Sequence, residues 1–207
     1  MAVLGTLHSL SKRLFPAKLR GREAGGFCLR SLVLLVLSVV LTLAVSTPAV
    51  AQREAEINKL KAAFIFQFAN FVEWPEEALG DDGDPFVICI VGNESLGEIL
   101  KGAVRGKSVR GREVEIRTMD GSSDLTSCQI MFVDDEDRRD VPRVIDEYAT
   151  QPVLTVGDSD DFTSEGGIIR LYPEASKLRI EINIDAAERA GLKISSKLLS
   201  LAKVVED

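Results

Sequence analysis

The chain has 207 residues with 25 basic and 32 acidic side chains, so its net charge at neutral pH is −7, and its single histidine is His8. An acidic protein repels nucleic acid and anionic lipid headgroups, which argues against binding to either. The sequence contains no internal repeat or low-complexity tract, and its length fits one domain behind a targeting segment.

The N-terminal segment has the order of charge and hydropathy that is typical of a secretory signal peptide. Six basic residues and one acid, Glu23, precede an uncharged run from Ser31 to Val45. That run is shorter than the roughly 20 residues needed to cross a bilayer. The small residues of Ala49-Val50-Ala51 indicate cleavage before Gln52.

We therefore predict a signal peptide over residues 1–51 and a mature domain over residues 52–207 that functions outside the cytoplasm, with no membrane span after cleavage. A retained single-span anchor is the alternative. Cleavage would shift the net charge from −7 to −12 and would remove His8. Without histidine, the mature domain has no Ser-His-Asp or Cys-His nucleophile and no His-containing zinc site. Acid–base catalysis would then depend on paired carboxylates alone. Together with the family resemblance described below, this leads us to predict a protein that is not an enzyme and has no cofactor or metal.

Two cysteines, Cys89 and Cys128, remain in the mature domain. An even count in an oxidising compartment is typical of a disulfide. Both cysteines lie in apolar runs that are predicted to form neighbouring strands, whose spacing suits such a bond. Two buried, reduced thiols on opposite faces of the sheet are the alternative.

Hydrophobic periodicity predicts an α/β fold. The predicted helices are Glu54–Val72, Ser95–Lys101, Val141–Tyr148, a segment that Asp185 caps and Gly191 interrupts, and Ser195–Val205. The predicted strands are Phe86–Val91, Glu113–Met119, Cys128–Val133, Pro152–Val156, Gly166–Leu171 and Lys177–Ile184. Alternation of strands and helices predicts a single three-layer α/β/α domain with a mostly parallel sheet, which ends in a C-terminal antiparallel hairpin.

The first predicted helix carries a large aromatic residue outside its predicted core face. That face consists of Ile57, Leu60, Phe64, Phe68 and Phe71. Phe66 falls on the opposite side, among small residues, where it would dock a partner or a second copy of the chain. A lone surface phenylalanine, or one that a neighbouring segment covers, is the alternative.

Four polar segments are candidate ligand or partner sites, and none has a specific signature. The acidic run 134–137 and the acids of 158–165 follow strands, but they lack the spacing of a calcium loop. Residues 92–95 join a strand to a helix, where backbone amides can hold an anion, but they lack a glycine-rich fingerprint. The basic stretch 105–112 is interpreted as a solvated hairpin, with an acidic partner surface as the alternative.

Several segments, taken in order, resemble the YfiR-like family of periplasmic proteins. The resemblance rests on the stretch from Lys61 to Pro75 and on the segments Ile90–Gly92, Gly106–Arg112, Cys128–Val133, Val153–Val156 with Phe162, Gly166-Gly167, and Leu178–Leu199. The resemblance implies a regulator that binds the periplasmic sensor domain of an inner-membrane, YfiN-like diguanylate cyclase. Such a regulator keeps the cyclase inactive and so lowers cyclic di-GMP and biofilm formation.

One feature of the family is absent, because members can carry a second disulfide where this chain has the cysteine-free segment Phe162–Arg170. The alternative function, from another class, is a periplasmic small-molecule sensor or solute-binding module.

The C-terminal hairpin is the predicted partner surface. The resemblance places partner-repressing residues in this region. If Ile180 and Ile182 face the core, Glu181 and Asn183 project from the other side of the strand. We therefore predict that Ile169, Glu181 and Asn183 contribute to the surface that binds the partner, and that Glu181 is exposed.

Overall fold

The structure, a computed structural model, describes residues 48–119, 128–134, 141–175 and 177–207. The predicted signal peptide lies outside these residues up to position 47. Five helices are present in the described part: α1 (Pro48–Phe71), α2 (Glu94–Val104), α3 (Val141–Tyr148), α4 (Ile184–Arg189) and α5 (Ser196–Leu199). A short 3-10 helix spans Glu76–Leu79.

Ten strands of the described residues lie in two sheets. The strands are β1 (Val72–Glu73), β2 (Phe86–Val91), β3 (Ser108–Val109), β4 (Arg112–Met119), β5 (Ile130–Val133), β6 (Leu154–Gly157), β7 (Ile169–Glu174), β8 (Lys177–Asn183), β9 (Lys193–Ile194) and β10 (Lys203–Val205). Eight of them form one sheet in the order β10-β8-β7-β6-β5-β2-β4-β3, and β1 pairs with β9 in a small antiparallel sheet. Strands β4, β2, β5, β6 and β7 are parallel, while β7 and β8 form the predicted antiparallel hairpin.

The central strands are buried on both faces, as their unbroken apolar sequences predict. On one side, here the first face, Ile88 and Ile130 pack under α1, α2 and α4. On the other side, the second face, Val87 and Met131 pack under α3 and Phe162. The predicted three-layer α/β/α class with a C-terminal hairpin is therefore confirmed.

The order of the strands creates a switch point beside β2. After β2 the chain passes through α2 to β4 on one side, and it then returns to β5 on the other side of β2. The helices that follow β2 and β5 in the chain, α2 and α3, lie on opposite faces of the sheet, and a crevice of the kind in which α/β proteins bind ligands opens between these strand ends.

The predicted core face of α1 is wrong by part of a turn. The buried residues of this helix are Ala62, Ile65, Phe68 and Ala69, whereas Leu60 is 47% exposed. The small side chains of Ala62 and Ala69 let the helix approach the sheet closely, so the bulkier aromatic residues flank the buried stripe. The first turns of α1 are largely exposed, which leaves Leu60 without a core beneath it.

The C-terminal segment also differs from the prediction. The predicted helix over Ser195–Val205 ends at Leu199, and Val204 and Val205 pair in parallel with β8 as part of β10. Adjacent β-branched residues favour a strand when a sheet edge is available. The cap of α4 is Asn183 rather than Asp185, because the Asn183 side chain accepts a hydrogen bond from Ala186 N.

Cys89 and Cys128 are joined by a disulfide in the structure, with their Cα atoms 5.9 Å apart. Cys89 lies on β2, and Cys128 precedes the neighbouring strand β5. Both cysteines are buried in the cluster on the second face.

Candidate functional site

A polar groove of about 670 Å³ lies between the loop that follows β6 and the strand β10. Its walls carry both acidic and basic side chains, including Asp160, Arg170, Glu181 and Lys203. Most of these side chains belong to the hairpin β7–β8 or to segments packed on its second face, which is the region where the sequence predicts the partner surface.

The loop that forms one wall of the groove is anchored by Phe162. This side chain is fully buried, and its ring lies between Gly157 and Gly167. A Cβ atom on either glycine would come within 2.3 Å of the ring, so only glycine fits at these two positions. The loop is also fixed where Thr155 Oγ1 accepts a hydrogen bond from Ile168 N, at 3.0 Å.

Glu181 is the central carboxylate of the groove, and it is only 6% exposed. It accepts hydrogen bonds from the Thr163 hydroxyl at 2.5 Å and from Lys203 Nζ at 2.7 Å, and Arg170 lies 4.0 Å away. Burial opposes the ionisation of Glu181, but these hydrogen bonds and positive charges outweigh it and hold the pKa of Glu181 below its ordinary value. Glu181 is therefore a charged, buried anchor for its neighbours.

Arg170 occupies the centre of the groove wall and contacts several groups. Its guanidinium pairs with Asp160 and lies 4.7 Å from the centre of the Tyr172 ring. Its buried Nε atom has no hydrogen-bond partner within the described residues. Arg170 thus retains an unused donor beside the groove.

Asn183 connects the hairpin to the two ends of the groove. Its side chain donates to the backbone oxygen of Thr163 at 2.9 Å and to Asp207 Oδ1 at 2.6 Å. Asp207 also pairs with Arg189, and these two contacts lower the pKa of Asp207. Asn183 is therefore structural: it caps α4, fixes the loop and holds the segment that follows β10.

The prediction that Glu181 is exposed is wrong, and Asn183 beside it is buried as well. The loop with Thr163 covers the second face of β8 and the strand β10 pairs along its edge, which leaves Asn183 only 1% exposed. Ile169 is fully buried on the first face, so it cannot share a surface with Glu181. The structure thus brings Glu181 and Asn183 together, but it separates both from Ile169.

Phe66 lies in another layer, away from this groove. It is half-buried against the core of the first face, and Lys107 Nζ lies 4.9 Å from the centre of its ring. Phe66 therefore matches neither the predicted solvated position nor a buried core position. Part of its ring is covered by the lysine.

Several groove residues were missed from the sequence, and those that contact Glu181 or Asn183 are Thr163, Arg170, Lys203 and Asp207. Arg170 had a usable signal, because it lies opposite Glu181 in the register of the hairpin. Lys203 was assigned to a helix, and only the adjacent valines pointed to a strand. Thr163 and Asp207 reach the site through loop conformation, for which the sequence has no local pattern.

A second polar cleft, of about 580 Å³, lies at the switch point between β2 and β5. The ammonium of Lys61, which is 8% exposed, pairs with Asp158 there and lies 5.4 Å from the centre of the Phe132 ring. On the opposite wall, Asn93 Nδ2 donates to Asp134 at 2.5 Å. The remaining acids of the run 134–137 lie outside the described residues.

Two global features bear on the kind of site. Over the described ranges, no group of three or more acidic, cysteine or histidine side chains is arranged to hold a metal ion. In the same ranges, no helix combines the length and the hydropathy that a membrane span requires.

Comparison with known families covers most of the domain. The profile of the YfiR/HmsC-like family matches residues 58–203, from the third turn of α1 to the first residue of β10. This family is periplasmic, and it is regulatory rather than catalytic. The match confirms the resemblance drawn from the sequence, and the chain belongs to the YfiR/HmsC-like family of periplasmic regulators.

Proposed function

We propose that the chain is exported by a cleaved signal peptide and represses a membrane-bound, YfiN-like diguanylate cyclase by binding its periplasmic domain. The observation that carries this proposal is the family match over residues 58–203. Repression of the cyclase lowers intracellular cyclic di-GMP.

The groove around Glu181 is the proposed partner surface, with the roles of its residues revised. Lys203 and Asp160 project from its rim, with side chains 64% and 83% exposed. Glu181 lies beneath them and fixes Lys203 and Arg170 in position. Glu181 and Asn183 therefore support the partner surface, while the rim charges contact the partner. Ile169 contributes packing beneath the hairpin.

Lys203→Glu tests this surface, since it reverses an exposed charge that the groove presents. A strain that lacks the gene is complemented with the wild type, Lys203→Glu, or the control Lys177→Glu, which reverses an exposed lysine at the far end of β8. We expect cyclic di-GMP to reach the level of the deletion strain with Lys203→Glu and to stay at the wild-type level with the control. Circular dichroism of the exported proteins checks that each variant is folded.

The two ways in which this proposal fails are distinguishable. If deletion of the gene leaves cyclic di-GMP unchanged, the protein does not repress a cyclase. If folded Lys203→Glu represses fully, the partner binds elsewhere. The surface around Phe66 is then tested with Phe66→Asp in the same assay.

The cleft between β2 and β5 supports a second candidate function, that of a small-molecule sensor. It lies at the strand switch point and contains the nearly buried Lys61 beside carboxylates. Native mass spectrometry of protein purified from the periplasm without unfolding checks this function. The expected result is a bound solute that is present in the wild type and lost in Lys61→Met. An identical unliganded mass for both proteins contradicts it.

A further inference from the structure

The outer edge of β4 is open for most of its length. On this side, β3 pairs only Ser108 with Glu113 and Val109 with Arg112. Within the ranges that the structure describes, no strand pairs with this edge beyond Glu113. An unpaired edge of this length is a template for another strand.

The backbone of this edge is oriented for pairing. Arg112 pairs with Val109 across a two-residue turn, Arg110-Gly111, whose residues have φ of 52° and 82°. Because successive residues of a strand direct their N–H and C=O groups to opposite edges, Val114, Ile116 and Thr118 point outward like Arg112. Consistent with this alternation, Met119 directs its carbonyl oxygen inward, to Gly92 N at 3.4 Å.

The side chains of this edge are complementary to themselves. On the second face, Glu115 and Arg117 are partly exposed and pair with each other at 2.7 Å along the same strand. In an antiparallel pair of two copies centred on Ile116, Glu115 of each copy lies opposite Arg117 of the other. Shifting the centre to either neighbouring residue places Glu115 opposite Glu115 or Arg117 opposite Arg117, and like charges directly opposite destabilise the pair.

We propose that two copies of this chain associate through β4, antiparallel and in the register that places Ile116 on the two-fold axis. The main sheets of the two copies then form one continuous sheet. The position of β3 limits this pairing to residues 114–118, because β3 occupies the edge at Glu113. Glu115 and Arg117 oppose each other favourably only when a second copy pairs in this one register. The occupant of the edge is therefore a second copy of the chain, and not a strand of unrelated sequence.

Paired charge reversals test this interface. Glu115→Arg creates two pairs of opposing arginines across the interface, one on each side of the two-fold axis, and Arg117→Glu creates two pairs of opposing glutamates. We expect each single variant to weaken the dimer about tenfold, from the range of cross-strand charge pairs. Glu113→Arg, on the same strand but outside the paired segment, is the matched control and leaves the dimer unchanged. Sedimentation equilibrium measures the dissociation constants.

An equimolar mixture of Glu115→Arg and Arg117→Glu separates this interface from an effect within one strand. In the mixed dimer every charge again opposes its counterion, although neither chain regains its own Glu115–Arg117 pair. We expect the mixture to associate as tightly as the wild type. The proposal is overturned if the wild type stays monomeric at its highest soluble concentration, if neither reversal weakens the dimer, or if the mixture fails to restore association.

Discussion

Two regions of the second face are held by different kinds of interaction. Between β2 and β5, the face is apolar and is crossed by the disulfide of Cys89 and Cys128. At the hairpin β7–β8 the same face carries Glu181, Arg170 and the residues that bind them. We call these the disulfide region and the ionic region.

The two kinds of interaction respond to different conditions. A disulfide constrains the unfolded chain and is insensitive to pH and salt in the folded protein. Ion pairs stabilise the folded state only while both groups are charged, and salt screens the exposed ones. The segment that corresponds to the second disulfide of the family relies here on Phe162 and on the ionic region, beside the groove. Packing alone therefore does not hold it.

Loss of the disulfide is expected to have the largest effect on stability. The two cysteines are separated by 39 residues in the sequence. Closing a loop of this length lowers the conformational entropy of the unfolded chain and so stabilises the folded state by about 4 kcal/mol. We expect the double variant Cys89→Ala, Cys128→Ala to lose about this much free energy of unfolding in urea titrations.

Reduced wild-type protein is the control, because it lacks the bond but keeps both side chains. It should unfold at nearly the same urea concentration as the double variant. Two alkylatable thiols in denatured, unreduced wild-type protein from the periplasm would show that the bond does not form.

Glu181→Lys tests the ionic region by placing a positive charge beside Arg170 and Lys203. Because Glu181 is buried, the substitution leaves uncompensated charges, and we expect a loss of about 3–5 kcal/mol. The control Glu174→Lys reverses an exposed carboxylate on the same hairpin, which pairs with Arg179, and should change stability by less than about 1 kcal/mol. Equal melting temperatures for the two variants would show that Glu181 stabilises the fold no more than an exposed carboxylate does.

Most of the fold is predictable from the sequence, because the buried strands and α3 have strong local patterns. Helix α3 was predicted with its observed bounds, Val141–Tyr148. Errors arise where tertiary packing decides the outcome. The rotation of α1 depends on how closely Ala62 and Ala69 approach the sheet, and β10 forms only because β8 offers a free edge.

The candidate site was less predictable for the same physical reason. Period-two alternation correctly separates Glu181 from Ile180 and Ile182, but it does not state what covers the other face. Cover is provided by Thr163 in a loop and by Lys203 from a distant strand. A polar residue on a strand was therefore interpreted as solvated when it is the centre of a buried network.

The pH dependence of stability distinguishes the ionic region from the disulfide region. The pKa of Glu181 is lowered in the folded protein. The ionised carboxylate therefore makes its full contribution to folding stability above the ordinary carboxyl pKa of about 4.3, and this contribution is lost as pH falls through the lowered pKa. We expect the difference in melting temperature between the wild type and Glu181→Gln to persist at pH 6–7 and to shrink below about pH 4. The effect of the two Cys→Ala substitutions should stay constant over the same range. If the difference in melting temperature between the wild type and Glu181→Gln grew on acidification, the pKa of Glu181 would be raised in the folded protein and not lowered.

The smallest effect is expected at the exposed margin of the ionic region, where Arg189 pairs with Asp207. Both side chains are more than 40% exposed, so water and salt screen the pair in a way that they do not screen Glu181. We expect Arg189→Ala to lower the free energy of unfolding by less than about 1 kcal/mol, and this loss to vanish in 1 M NaCl. Urea titrations at low and high salt measure both values, with Glu181→Gln as the reference for a buried member of the region. If Arg189→Ala costs as much as Glu181→Gln, and salt does not reduce the cost, then burial does not set the strength of the contacts in this region. The segment that follows β10 would then be as firmly held as the hairpin itself.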